Sequence, residues 1–381
     1  MGAAGVRLRA AAVAVAAALL VPAALPAAAE TRPVVGGEEL GSRTVVAGHG
    51  APPLPHVSAA GWLVADVDTG EVLAARDAHG RYLPASTMKT LTAVALIPEL
   101  DLRRMYQPSY ADVNIEGSRV GIVQSVRYPV GKLVEAMLVV SGNDAANAVA
   151  SAAGGTDVAV AKMNATARRL QAYDTLARNP SGLDAPGQVT SAYDLALVAR
   201  AGLAMPDFAR YVATLRDRMP APGGRQFEIY NHNKMLPTYA GDIGVKTGFT
   251  VAARHTYVGA ARRNGHTLVV TLLKAETMYP DAKALLDWGF HAVGRTVPVG
   301  RLVDPVPDAP LVDSRADRSR TLPPAAPVAA PAAPRRSGGG GLPGGPAAGV
   351  VAAAAGAALV LRRRTVRRRT SGGLTLDLPV R

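Results

Sequence analysis

Leu83-Pro-Ala-Ser-Thr-Met-Lys-Thr-Leu-Thr-Ala93 is the stretch around which the rest of the chain is arranged. Ser86 and Lys89 stand one helical turn apart, so on a helix they share a face and bring an amine beside a hydroxyl. Pro84 suits the approach to a helix start, and Met88, Leu91, Thr92, Ala95 and Leu96 supply an apolar face for burial. Ser86 then sits at the N-terminal, positive end of a buried helix. A serine is a weak nucleophile without a base in hydrogen-bond reach. Lys89 can be that base only when neutral. Bringing a lysine from about 10.4 toward 7 takes about 4 kcal/mol, which calls for desolvation and a second cation nearby. By itself Ser-x-x-Lys occurs on many solvated helices, so the reading depends on the rest of the chain.

The chain has 381 residues, 49% hydrophobic and only 4% aromatic, which allows a sizeable aliphatic core. Its net charge of +13 is concentrated at the ends, in Arg7 and Arg9 and in nine arginines of residues 335–381 set against Asp377. The body therefore gives no reason to expect nucleic acid as a partner. The absence of cysteine excludes disulfides and thiol chemistry.

Residues 1–29 run from Arg7 and Arg9 through an apolar stretch to Ala27-Ala28-Ala29, the order of a cleavable secretion signal, with a permanent N-terminal anchor as the competing reading. Residues 30–55, with Gly36-Gly37 and Pro52-Pro53, read as an irregular leader. Gly61 to Ala75 reads as two strands turned at Asp68-Thr69-Gly70. Helices are expected near 133–140, 145–153, 157–172, 191–205 and 281–290. Strands are expected at 245–249, 255–261 and 267–273, the last two joined by an Asn264-Gly265 hairpin. Strands at both ends around a helical middle predict an α/β domain over 56–295 whose antiparallel sheet joins its first and last parts. Residues 296–346 read as a spacer, rich in Pro, Ala and Gly over 321–346. Residues 347–361 are apolar and uncharged, followed by an arginine-rich segment, 362–381. Fifteen helical residues reach about 22 Å against a hydrocarbon core of about 30 Å, a short span. The arginines favour a C-terminal membrane anchor with a basic cytoplasmic tail, against the alternative of a disordered basic tail.

Two further motifs follow in order, Ser141-Gly142-Asn143 and Lys246-Thr247-Gly248. Separately, each reads as a turn. Together with Ser86-x-x-Lys89 they resemble the active-site triplet of the penicillin-binding proteins and serine β-lactamases. More narrowly, Pro84-Ala-Ser-Thr-Met-Lys, Ser141-Gly-Asn-Asp-Ala-Ala-Asn, Asn179-Pro-Ser-Gly-Leu-Asp and Val245-Lys-Thr-Gly-Phe-Thr resemble the serine D-alanyl-D-alanine carboxypeptidases, over roughly residues 56–291. The resemblance implies a β-lactamase/penicillin-binding-protein-like fold, with an antiparallel sheet flanked by helices and a helical subdomain. It also implies acyl transfer through Ser86 with no metal or cofactor, a peptidoglycan stem peptide as substrate and β-lactams as inhibitors. In that reading Lys89 takes the serine proton, Lys246 depresses the Lys89 pKa and attracts the substrate carboxylate, and Thr247 donates to the same carboxylate. Gly248 lets its strand approach the ligand. The N–H groups of Ser86 and Phe249 form the oxyanion hole by similarity. Ser141 relays a proton to the leaving D-alanine, and Asn143 holds both Lys89 and a substrate amide.

A class A β-lactamase would also need a glutamate between the second and third motifs, and none lies between Glu135 and Glu228. Gly-x-Ser-x-Gly and His-Glu-x-x-His are both missing. A non-catalytic sensor of wall peptides or β-lactams would be expected to lose its chemistry residues, and all are present. Arg254 stands where many members of the family carry a glycine nearby, as a second carboxylate anchor or a surface charge. Asn231-His232-Asn233 resembles a family segment and reads as a turn cap. The β-rich module that often precedes the family's membrane anchor is expected to be missing. The expected location is extracytoplasmic and membrane-anchored.

Overall fold

The computed structural model describes residues 33–307. The expected signal segment, most of the spacer, the apolar run 347–361 and the arginine-rich tail lie outside the described residues. Among the described residues, no helix is long and apolar enough to cross a membrane.

In chain order the elements are β1 (Val45–Ala47), β2 (Gly61–Asp66), β3 (Glu71–Arg76), α1 (Met88–Leu96), β4 (Met105–Tyr106), α2 (Tyr110–Val113), β5 (Tyr128–Pro129), α3 (Val130–Val139), α4 (Asn143–Ala152), α5 (Thr156–Arg169), α6 (Ala192–Leu203) and α7 (Pro206–Val212). They continue with β6 (Arg216–Pro220), β7 (Gln226–Tyr230), β8 (Asp242–Thr250), β9 (Arg254–Arg263), β10 (His266–Ala275), α8 (Tyr279–Ala292) and β11 (Gly300–Arg301). The main sheet has the order β1-β3-β2-β10-β9-β8, antiparallel throughout, with β11 also paired to β3. The first hairpin of the domain thus meets the last one through β2 and β10, as the strand pattern predicts.

Local chemistry explains the turns. Asp66 Oδ1 accepts from the N–H groups of Asp68 at 2.9 Å and Thr69 at 3.3 Å, an Asx turn that reverses β2 into β3. Asn264 and Gly265 both have positive φ, 51° and 83°, the left-handed pair that a two-residue hairpin requires. Ser191 and Ser109 accept from the N–H groups of Asp194 and Asp112 and so start α6 and α2.

Both faces of the sheet are covered, which is why Trp62 to Ala65 read as an unbroken apolar run. Leu63, Ala65, Val258, Ala260 and Val269 face the helical side with α1, α3, α4 and α6, whereas Trp62, Val64, Tyr257, Leu268 and Val270 pack with Leu285, Leu286 and Trp288 of α8. Alternate residues of each strand therefore enter opposite cores.

Three regions differ from the sequence expectation. The leader is irregular only in part: β1 pairs with β3, and Pro52 O accepts from Trp288 Nε1 at 2.9 Å. The fold also continues past 295, where β11 pairs with β3 and Leu302 N–H donates to Gly70 O at 2.7 Å. Short strands that take their partner from far along the chain leave no periodicity to read. Finally, α7 and the β6–β7 hairpin occupy a stretch to which the sequence assigned no elements.

Cutting the chain after residue 295 removes Val299 and Leu302, 5% and 3% exposed. At about 1.5–3 kcal/mol for each buried aliphatic side chain, the loss is about 3–6 kcal/mol, or a fall of about 10 °C in thermal midpoint. A chain ending at 307 should keep the midpoint of the full chain. Equal midpoints for the two truncations would show that β11 lies outside the cooperative unit.

Candidate active site

Ser86 lies in a 3-10 turn, Ala85–Thr87, that runs directly into α1. Pro84 O fixes this turn by accepting from Thr87 N at 3.3 Å, Thr87 Oγ1 at 2.6 Å and, across from β9, Thr256 Oγ1 at 2.8 Å. Ala85 is held at φ 46°, left-handed backbone that a non-glycine residue keeps only when its surroundings impose it. The serine is thus presented on a locked turn, half-buried at the start of a fully buried helix.

One turn on, Lys89 is completely buried and its Nζ meets three groups: Ser86 Oγ at 3.0 Å, Asn143 Oδ1 at 2.7 Å and Ser181 O at 2.6 Å. A neutral amine has two hydrogens and one lone pair. The two oxygens that can only accept take the hydrogens, and the lone pair is left for the serine hydroxyl. Burial pushes the Lys89 pKa well below its usual range, the charge of Lys246 pushes it the same way, and buried Asp144 opposes them. Asp144 also holds the loop before α3, accepting from the N–H groups of Val120 and Gly121, each at 2.8 Å.

Asn143 opens α4. Its Nδ2 donates to Glu116 O at 2.8 Å, which orients the amide so that its oxygen faces Lys89. Ser141, two residues earlier, occupies the α3–α4 turn with φ 64° and is buried. Its hydroxyl makes no hydrogen bond among the described residues.

The Ser181 carbonyl is a partner the sequence did not reveal. Asn179 Oδ1 accepts from Ser181 N, Ser181 Oγ and Gly182 N, and Thr92 Oγ1 of α1 donates to Pro180 O at 2.7 Å. Gly182 has φ +83°, and a Cβ there would lie 1.8 Å from Ala85 O. Only glycine lets this loop come against the serine turn. The segment Asn179-Pro-Ser-Gly-Leu-Asp was legible as a motif, but the atom that accepts from Lys89 is a main-chain carbonyl without a side-chain signature.

The third motif lies on β8, an edge strand of the sheet. Lys246 is buried, with Nζ donating to Thr247 O at 2.8 Å, and burial lowers its pKa to about 7. A Cβ on Gly248 would stand 2.8 Å from Ser86 N and 3.0 Å from Thr87 N, so the strand and the serine turn approach to backbone contact. Thr247 is half-buried, and Phe249 is 55% exposed with its ring 4.9 Å from that of His255. The structure thus links Ser86, Lys89 and Asn143 by hydrogen bonds and sets Lys246 and Gly248 beside them.

Arg254 is exposed, across the β8–β9 turn from Thr250. Asn231 is a turn cap: its Nδ2 donates to Val212 O and Thr214 O, and its Oδ1 accepts from Asn233 N. His232, between them, has its pKa lowered by burial and by the charge of Lys246, which sets its imidazole within electrostatic reach of the third motif.

Residues 48–277 match the D-alanyl-D-alanine carboxypeptidase family. The chain is 43% identical over 261 residues to D-alanyl-D-alanine carboxypeptidase DacB2 of Mycobacterium tuberculosis, covering 66% of this chain and 89% of that protein. Its structure is similar to the crystal structure of D-alanyl-D-alanine carboxypeptidase from Mycobacterium tuberculosis, with TM-score 0.65 and 41% identity, covering 67% of this chain and 99% of the other. It is also similar to the Streptomyces K15 DD-transpeptidase, with TM-score 0.59 and 26% identity, over 63% of this chain and 100% of the other.

Two substitutions test the geometry. Gly248→Ala should cut the rate of Ser86 acylation by at least about 100-fold, the order expected when an oxyanion site is displaced, with circular dichroism unchanged. Acylation at the wild-type rate would show that the strand is free to retreat. Lys246→Met should lose activity yet gain thermal stability at pH 7, because it removes a buried amine that has no carboxylate partner among the described residues. The folded Lys246 pKa, about 7, lies below its unfolded value, so the unfolded chain binds the extra proton between those two values. Wild-type stability therefore rises with pH across that window, and the advantage of the variant should shrink from pH 7 to 10. Unfolding curves at several pH values check this, and a constant gap would contradict the assignment.

Proposed function

The chain belongs to the D-alanyl-D-alanine carboxypeptidase family, and we propose that Ser86 is its acylated nucleophile and Lys89 the base that activates it. The activity is that of a serine-type hydrolase that removes the terminal D-alanine from peptidoglycan stem pentapeptides. The observation that carries the residue assignment is the buried Lys89 Nζ, 3.0 Å from Ser86 Oγ and hydrogen-bonded to two acceptors that leave its lone pair for the serine proton.

In the proposed sequence, the substrate lies beside β8 with its terminal carboxylate drawn to Lys246 and Thr247. That carboxylate favours the protonated form of Lys246, whose charge in turn keeps Lys89 neutral. Lys89 takes the proton of Ser86 as Oγ attacks the carbonyl carbon of the penultimate D-alanine. The N–H groups of Ser86 and Phe249 receive the developing oxyanion. Ser141 passes its proton to the leaving nitrogen and takes in its place the one Lys89 received from Ser86, so the peptide bond breaks, free D-alanine departs and Lys89 is neutral again. Water, deprotonated by Lys89, then attacks the ester and releases the shortened peptide with Ser86 restored. Asn143 keeps Lys89 in place through both halves and offers its amide to the substrate.

A β-lactam mimics the scissile amide, but its leaving nitrogen stays tethered to the acyl group, so it acylates Ser86 and turns over slowly. The β-lactamase alternative is disfavoured by the missing glutamate between Glu135 and Glu228. Residues 1–29 direct export and residues 347–361 tether the enzyme outside the cytoplasm. This reading is supported by the small residues before Glu30 and by the arginines that follow Leu361.

The test is the intact mass of residues 30–320 after incubation with penicillin and, separately, with a peptide ending in D-Ala-D-Ala, beside Ser86→Ala. Expected are a long-lived penicillin adduct on the wild type alone and release of D-alanine from the peptide. Rapid penicillin hydrolysis with no peptide cleavage would favour the β-lactamase, and an adduct without peptide turnover a sensor. Neither adduct nor D-alanine would overturn the assignment.

A further inference from the structure

A second cluster of polar side chains lies outside the Ser86 site and has no part in the reaction. His79 Nδ1 stands 2.9 Å from Asp174 Oδ2, and a ligand atom from each of His79, Asp174 and Asp194 lies within 4.8 Å of the others. In each of the three residues a second polar atom is already occupied. His79 Nε2 is 3.0 Å from Val35 O, Asp174 Oδ1 accepts from Arg81 Nε at 3.1 Å, and Asp194 Oδ2 accepts from Thr175 Oγ1 at 2.7 Å. The Tyr193 ring, 4.7 Å from the imidazole, fixes its plane.

Val35 O can only accept, so it sets a hydrogen on His79 Nε2. The lone pair of Nδ1 then faces a carboxylate oxygen, and something positive must lie between them. A proton on Nδ1 satisfies that contact and no more. Asp194 is 1% exposed, and among the described residues its buried Oδ1 has no hydrogen-bond partner. A divalent cation would satisfy Nδ1, Asp174 Oδ2 and Asp194 Oδ1 together, while Val35 O, Arg81 and Thr175 supply the outer contacts that orient metal ligands.

We propose that His79, Asp174 and Asp194 form a divalent-cation site, with one imidazole and two carboxylates of the chemistry that suits Zn2+. Two carboxylates balance its charge, and the cation displaces any proton on Nδ1 to solvent. Access is through a cavity of about 640 Å3 lined by Arg43, Asp77, His79, Arg81, Tyr82 and Asp174. The bound ion would clamp the N-terminal segment at Val35 and the turn at Asp174 to the start of α6, a structural role separate from acylation.

The full chain, stripped with EDTA and desalted at pH 7.5, is titrated with ZnCl2, and bound zinc is counted by mass spectrometry of the element. Expected are one zinc per chain, a rise of about 5 °C in thermal midpoint and penicillin acylation unchanged by stripping. The tight site should be lost in His79→Ala and weakened at least 10-fold in Thr175→Val, which removes the outer contact to Asp194 together with the bond to Thr190 Oγ1 and no proposed ligand. X-ray absorption of the zinc-loaded wild type should show a single imidazole with oxygen ligands, which decides the matter even where His79→Ala does not fold. No stoichiometric uptake, with His79 doubly protonated by nitrogen NMR, overturns the proposal in favour of a proton. Equal uptake by His79→Ala, or a spectrum with several imidazoles, places the zinc elsewhere and overturns it as well.

Discussion

Everything in the catalytic region converges on one nitrogen. The Lys89 amine takes its partners from the serine turn, from the start of α4 and from the loop that carries Ser181, three pieces far apart in sequence. None of these contacts is strong in isolation. Their effect lies in their number and kind: two fixed acceptors and one hydroxyl match the hydrogen-bonding valence of an uncharged amine, so geometry and protonation state reinforce each other. The rest of the structure sets up this match. The locked turn at Pro84 aims the hydroxyl, Glu116 O turns the Asn143 amide the right way, and Gly182 lets the Ser181 carbonyl reach the lysine.

The electrostatic setting is unusual for a protein interior. Lys89 and Lys246 are both buried, and neither forms an ion pair among the described residues. Two amines in low dielectric disfavour each other's charge, and both lose hydration on folding. Such an arrangement persists only where surrounding packing over-determines it, and here a sheet covered on both faces provides that rigidity. Stability and reactivity are opposed at these two positions. The same burial that weakens the folded state lowers the pKa of both lysines, as the proposed reaction requires.

Much of this was legible from the sequence because it depends on side-chain identity or on local turn chemistry. Ser86, Lys89, Asn143 and Lys246 were singled out by their functional groups and motif spacing, and the turns at Asp66 to Gly70 and at Asn264-Gly265 need no distant partner to form. Central strands β2 and β10 announced themselves as apolar runs. What stayed hidden depends on distant or main-chain partners. The Ser181 carbonyl has no residue signature, and β1 and β11 are too short to show alternation. In β6 and β7 most side chains are exposed or half-buried, Arg216, Arg218 and Glu228 among them, so no apolar stripe marks them. His79 has no signal in the sequence, since its neighbours Asp174 and Asp194 lie far along the chain.

The pairing of both β1 and β11 with β3 also has a mechanical meaning. The two ends of the folded body leave from strands on β3, whereas the third motif lies on β8 at the far edge of the sheet, four strand spacings away, or about 19 Å. Tension applied at residue 307 is therefore borne first by Val306 N–H on Arg169 O and by Asp304 on Gln171 and Arg200, and then by the Leu302 anchor and the short β11 ladder. It can peel these away before any load reaches the strands that frame Ser86. The C-terminal end of the described fold and the third motif thus lie at opposite sides of one sheet, and a pull on the first leaves the second in register.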